Sequence, residues 1–448
     1  MTVDRTRLRD LLADEAAGFT ERHPRSQALH ERARRSLLDG VPMNWMVKWA
    51  GPFPLFLESA SGAHATCVDG HDYVDLCLGD TGAMAGHGPA PTIAAVEAQL
   101  RRGITTMLPT EDAAWAGEEL ARRFGLPLWQ FTLTATDANR FALRLAREIT
   151  GRPLVAVHEW CYHGTVDESF AVLHDGGVVA RRGNIGPPVD PARTTRVVPY
   201  NDLEALEAAL ADGQVAALLI EPALTNVGIV LPEPGYLQGV RDITRRHGTV
   251  LIHDETHTIC AGPGGVTGAL SLEPDVLVIG KTIGGGIPAG TYGLSAEVAA
   301  RVRAAVAVED SDVGGIGGTL AGYALSLAAI RATLGEVLTE AAFERMMPLA
   351  ERWERGVADA IARHGAPWSV TRLGARAEYH FMPLPPRNGA DQVAHADPEL
   401  ERLLHLWAMN RGVLMTPFHN MALMSPATTE ADVDRHSTAF DEALAALF

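Results

Sequence analysis

The stretch VLVIGKTIGGG, Val276–Gly286, reads as an apolar run, one lysine and three glycines. Four consecutive aliphatic residues suit a short strand buried on both faces. The glycines beyond it permit positive φ and close backbone approach. Lys281 is one of only two lysines in 448 residues, the other being Lys48, against 36 arginines. Arginine keeps its proton in proteins, whereas a desolvated lysine amine gives it up readily. Chemistry that needs a neutral amine, such as Schiff-base formation, therefore needs lysine. A loop lysine in an arginine-rich chain is the competing reading of this position alone.

Similar apolar runs occur in PLVAVHEW, VAALLIEPA and TVLIHDE, with the helical patterns FALRLAREIT and LQGVRDITRRH between them. Strand and helix in alternation from about residue 90 to 325 imply an α/β fold whose mostly parallel sheet is covered on both faces. Residues 1–40 read as one or two amphipathic helices, and Asp69-Gly70 as the turn of a small hairpin. Beyond about residue 330 a long helical pattern leads into a short α+β region. The expected division is a 1–65 N-terminal segment contributing to a small domain, a 66–328 large domain and a 329–448 C-terminal small domain.

Hydrophobic residues make up 47% and aromatics 6%, as in an ordinary globular chain. A formal net charge of −17 argues against nucleic-acid binding, which needs a basic face. Cys67, Cys77, Cys161 and Cys260 show no CxxC spacing and fit a reducing cytoplasm. The first residues lack an apolar core of signal-peptide length, and no run of about 18 apolar residues suggests a membrane span. A cytoplasmic location is expected, with no membrane or metal partner.

Several strand ends carry polar chemistry. TVLIHDETH brings Asp254 to the end of an apolar run, where ligands bind in open α/β sheets; a backbone-capping carboxylate is the plainer reading. Thr134-Ala135-Thr136-Asp137 opens a helical pattern, so hydroxyls meet free N–H groups that suit a phosphate, or form a simple N-cap. Tyr162, followed by His163 and Gly164, offers an aromatic to a flat ring, or a core residue at a strand end. Glu221 ends the run LLIEP. Thr319 in GGIGGTLAGY offers a hydroxyl among glycines, or sits in a flexible connector. An amine, a carboxylate, a phosphate cup and a stacking ring together are what pyridoxal phosphate requires.

The chain resembles the class III aminotransferases, a branch of the fold-type I enzymes that use this cofactor. The motifs that carry the resemblance are CYHG, the Glu-Pro of LLIEP, HDE, GKTIGGGIPAGTYG and GGTLAG. It is similar to the glutamate-1-semialdehyde aminomutases and to the amine and β-amino-acid transaminases. The resemblance implies a large domain with a mostly parallel sheet plus a small α+β domain. It implies that Lys281 carries the cofactor and moves the proton, and that Asp254 holds the ring nitrogen protonated. Thr134, Ala135 and Thr136 take the place of the family's Ser-Gly-Thr phosphate loop. Tyr162 stacks on the ring, Thr256 takes the place of a valine that packs on the ring face, keeping its shape and adding a hydroxyl, and Glu221 stands near the ring hydroxyl or Asp254. A Gly-Thr pair matching Gly318-Thr319 comes from the neighbouring subunit in this family, which implies a homodimer with active sites at the interface.

The substrate side departs from the pattern. Two arginines that clamp a carboxylate in β-amino-acid transaminases fall at Trp45 and Phe418, and neither side chain can replace a bidentate guanidinium. Trp45, Trp49 and Phe418 are therefore expected to line an apolar pocket, or to pack the small domain. Arg376 is a candidate to restore a carboxylate anchor, or a surface charge. The expected reaction is transfer of an amino group from a primary amine, ω-amino or β-amino compound to a keto acid such as pyruvate, in ping-pong order. An intramolecular aminomutase or a racemase is the alternative on the same scaffold.

Overall fold

A computed structural model of the chain describes residues 3–306 and 315–448. The chain divides into two units, one of residues 1–89, 341–385 and 395–448, the other of 90–340 and 386–394.

The second unit is built on a seven-stranded sheet. Its strands in chain order are β1 (Leu128–Thr132), β2 (Leu154–His158), β3 (Thr195–Val198), β4 (Val215–Ile220), β5 (Val250–Asp254), β6 (Val276–Gly280) and β7 (Gly290–Leu294). Their order across the sheet is β1-β7-β6-β5-β4-β2-β3. Only β7 runs against its neighbours; the pairs from β6 to β3 are all parallel. Every residue of β2, β4, β5, β6 and β7 is buried. That is why β2, β4, β5 and β6 read as largely apolar runs rather than as alternating patterns, whereas β7, GTYGL, does not. Helix α1 (Ala135–Thr150) follows β1, and α2 (Tyr236–His247) precedes β5. Both end in a left-handed glycine, Gly151 and Gly248, the usual helix stop.

The first unit holds a four-stranded sheet, Leu57–Ser61, His64–Cys67, Asp72–Asp75 and Val413–Leu414, and a three-stranded one, Ser369–Leu373, Arg376–His380 and Met421–Leu423. The hairpin at Asp69-Gly70 is present, with Gly70 at φ 85°. Residues 66–89 belong here and not with the large unit as expected, because Val413 pairs with Val74 and Leu414 with Asp75. At the other boundaries, the second unit runs on to residue 340 and takes back 386–394. Among the described residues no helix is long and apolar enough to cross a membrane. The four cysteines are buried and unbridged.

Candidate active site

The carboxyl ends of the parallel strands of the second unit carry the polar residues in question. β5 and β6 pair in register with Asp254 opposite Val278, so the acid and the amine leave neighbouring strands. Asp254 is 3% exposed. Its Oδ2 accepts from Asn139 Nδ2 at 2.8 Å and faces His163 Nδ1 at 2.9 Å, and its Oδ1 accepts from the Thr256 amide at 3.1 Å. A carboxylate offers about four acceptor positions, so one remains. Burial pushes the Asp254 carboxyl up, but the bond and charge of His163, with Thr256 and Asn139, outweigh it and hold it below the ordinary range.

His163 is the other half of this pair. Burial opposes its charged form; Cys161 and Asp254 beside it overcome that and push its pKa up to about 10. A histidine raised on folding stabilises the fold fully below its ordinary value of about 6.5, and that contribution is lost as pH rises through the folded value. The thermal midpoint of the cofactor-free chain should therefore fall between pH 7 and 10. His163→Gln should melt lower at pH 7 and lose most of that slope. Parallel slopes in melts across this range would refute the assignment.

Lys281 follows β6 directly, at φ 52°, in the left-handed region that costs a non-glycine residue about 1–3 kcal/mol. Its turn, Lys281–Gly284, closes on Gly285 at φ 57°. A Cβ on Gly285 would stand 2.5 Å from Thr333 Oγ1, so only glycine fits this close approach. Lys281 Nζ lies 2.7 Å from His257 Nε2.

Thr134 caps α1, its Oγ1 accepting from the Asp137 amide at 3.2 Å. The cap and the phosphate-loop readings are thus compatible, since the first N–H groups of a helix have no acceptor within it. Ala135, which replaces a glycine of the pattern, is accommodated by Gly280, where an added Cβ would come within 2.9 Å of the Ala135 Cβ. The Thr165 amide donates to Thr136 Oγ1 at 3.2 Å, tying the loop after Tyr162 to the helix start. Glu221 is buried rather than solvated. It accepts from the amides of Tyr162 and Thr225, each at 3.1 Å, and burial raises its pKa. It therefore organises the loop that carries Tyr162. The Tyr162 ring is half-buried and meets Phe170 edge-on at 6.3 Å. Thr319 stands exposed on its glycine-rich turn.

A match to the profile described as aminotransferase class-III covers residues 45–444. The chain belongs to the class III aminotransferase family. A crystallised glutamate-1-semialdehyde-aminomutase from Pseudomonas aeruginosa PAO1 is 49% identical over 100% of both chains, with a TM-score of 0.98, and was also solved as a lysine-to-alanine variant in complex with PMP. A glutamate-1-semialdehyde 2,1-aminomutase of Sorangium cellulosum is 35% identical over 95% of this chain and 97% of its own length. An omega-transaminase from Sphaerobacter thermophilus is 30% identical over 94% of this chain and 97% of its own, with a TM-score of 0.84.

This class III enzyme uses pyridoxal phosphate, and the second unit fits that group. Among the described residues, Thr256 Oγ1, Asn139 Oδ1 and His163 Nε2 around Asp254 are buried polar atoms that find no hydrogen-bond partner, and such atoms are rare unless something else satisfies them. With the spare acceptor position on Asp254, the Lys281 amine and the start of α1, they form a donor and acceptor set of the right kind.

In the first unit, Trp45 and Phe418 meet edge-on, ring centroids 6.1 Å apart, and Lys48 Nζ lies 5.6 Å from the Phe418 centroid. Trp49 packs against the cluster of Phe19, Phe53, Leu406 and Leu414. Arg376 is not a surface charge: its side chain is fully buried and reaches Asp80 at 3.3 Å and Thr81 at 3.5 Å. In the sequence, Asn139 carries no site signal of its own, and His163 and His257 stand only as neighbours of Tyr162 and Thr256. Asn139 stands one helical turn beyond Thr136, a signal that it shares that face.

Proposed function

We propose that this enzyme moves an amino group between neighbouring carbons of one substrate molecule, as a 2,1-aminomutase acting on glutamate-1-semialdehyde. The observation that carries the reading is the 49% identity, across the full length of both chains, to a protein of that description. Bound pyridoxal phosphate supplies an aldehyde that takes up amino groups and a ring that accepts an electron pair. The chain supplies the rest. Lys281 holds the cofactor and gives and takes the proton. Asp254 keeps the ring nitrogen charged. Thr134, Ala135 and Thr136 receive the phosphate, while Tyr162 and Thr256 flank the ring and Glu221 fixes the Tyr162 loop. Thr319, exposed on its turn, completes the phosphate site of a partner copy, so the working form is a homodimer.

One observation favours a second reading, transamination from a primary amine to a keto acid. Trp45 and Phe418 form an apolar edge-to-face pair where β-amino-acid transaminases carry arginine. One assay separates the two. Supplied with glutamate-1-semialdehyde and no keto acid, the holoenzyme should yield the isomer with its amino group moved from carbon 2 to carbon 1. If no isomer forms, but a chiral amine with pyruvate gives alanine, the transaminase reading replaces the first.

A further inference from the structure

The contact of Lys281 with His257 is not needed to seat either residue. The turn that carries His257 is fixed by other bonds. The Glu255 amide donates to Val278 O at 2.8 Å, and the buried Glu255 carboxylate accepts from the Val266 amide at 3.1 Å and the Thr267 amide at 2.6 Å. The Thr256 amide is held by Asp254. His257 is 7% exposed at the start of the next turn. Lys281 has its own turn, closed at Gly285 where Thr92 and Thr333 bond each other at 2.8 Å. Two independently fixed backbones thus bring Nζ and Nε2 to 2.7 Å.

Two nitrogens at that distance share one hydrogen, since one must donate and the other accept. An ammonium has three donors and no lone pair, so it bonds only an unprotonated Nε2. We propose that His257 is the proton acceptor that frees the Lys281 amine. The Lys281 ammonium passes one proton to Nε2, the imidazole becomes imidazolium, and the nitrogen lone pair is left available for attack on a carbonyl. The reverse transfer restores the starting state, so no outside acid or base is consumed. This inference rests on Lys281 being the reactive amine of the proposed function, and it extends that reading with the partner that sets the amine's protonation.

The rarity of lysine makes the test clean. In the full cofactor-free chain, trinitrobenzenesulfonate has two lysine side chains to label, and Lys48 serves as the internal reference. The initial labelling rates of the two are read by peptide mass spectrometry. A positioned base contributes about 10²–10⁴-fold to proton-coupled steps, so His257→Leu should slow Lys281 at least about tenfold and leave Lys48 unchanged. His257→Gln keeps a hydrogen-bond acceptor but cannot take the proton, and should be similarly slow. If the leucine variant does not fold, judged by circular dichroism, the glutamine variant decides alone. A Lys281 rate within twofold of wild type in either folded variant overturns the proposal, because hydrogen bonding or packing alone would then suffice. The cofactor reading fails separately. A chain that labels in a His257-dependent way, yet develops no yellow band with pyridoxal phosphate, sinks that reading and leaves this one standing.

Discussion

Lys281→Ala should lower the holoenzyme's amino-group turnover by about 10³-fold or more, because under the proposed function it would remove a covalent anchor and a positioned acid–base together. The fold should survive. Lys281 lies just beyond β6, whose five residues are buried by their own apolar contacts, and its side chain is half-buried. Alanine inherits the backbone conformation at φ 52° without adding bulk, so the thermal midpoint should stay within a few degrees. Lys281→Arg sharpens the result. It restores length and charge, but the guanidinium stays protonated, so it should be as inactive as the alanine variant. Substantial activity in the arginine variant would show that charge, and not a releasable amine, is what position 281 supplies. Turnover of the alanine variant within tenfold of wild type would remove Lys281 from the chemistry altogether.

The sheet was legible in the sequence because a strand buried on both faces has no solvent side to encode. VLVIG, VAALLI and LVAVH therefore stand out as apolar runs, and each turns polar where the strand reaches its carboxyl end. That change marks Asp254 at the end of β5 and Lys281 just beyond β6. Direction was not legible. His163 and His257 read as neighbours of interesting residues, yet which atoms their rings face depends on pairing between β5 and β6 and on the bonds of Glu255. The division into units was hidden because Val413–Leu414 completes a sheet begun at Leu57, a long-range pairing with no local mark. Trp45 and Trp49 lie on one short stretch, and a turn of 3₁₀ helix at Asn44–Lys48 sends one toward Phe418 and the other toward the Phe19 cluster. GARAEYHF has the charge pattern of an exposed strand, but all of Arg376–His380 is buried. Its charges are answered within the unit, Arg376 by Asp80 and Glu378 by His419 at 3.5 Å. Burial of paired charge leaves no trace in a hydropathy pattern.

If Asp254 is the charge that keeps the cofactor's ring nitrogen protonated, as proposed, Asp254→Asn should reduce turnover by about 10²-fold or more, because a neutral amide cannot favour the charged form of a neighbouring base. The substitution is nearly isosteric, and the reason it fails lies in the hydrogen bonds. Both groups at Oδ2, Asn139 Nδ2 and His163 Nδ1, approach as donors, and the Thr256 amide at Oδ1 is a donor too. An amide has one oxygen. Turned either way, its NH₂ meets at least one donor at the end of a buried strand, and an unsatisfied buried polar group costs about 1–3 kcal/mol. His163 then loses the carboxylate that raises its pKa, so the variant should also lose the fall in thermal midpoint between pH 7 and 10. The two readouts, kcat and the melting profile, separate the roles. At saturating pyridoxal phosphate, a drop in kcat with a flattened melting profile supports Asp254 as the charge that serves both His163 and the cofactor ring. A flattened profile with kcat within threefold of wild type would leave Asp254 as a fold-stabilising partner of His163 and end its assignment to the chemistry.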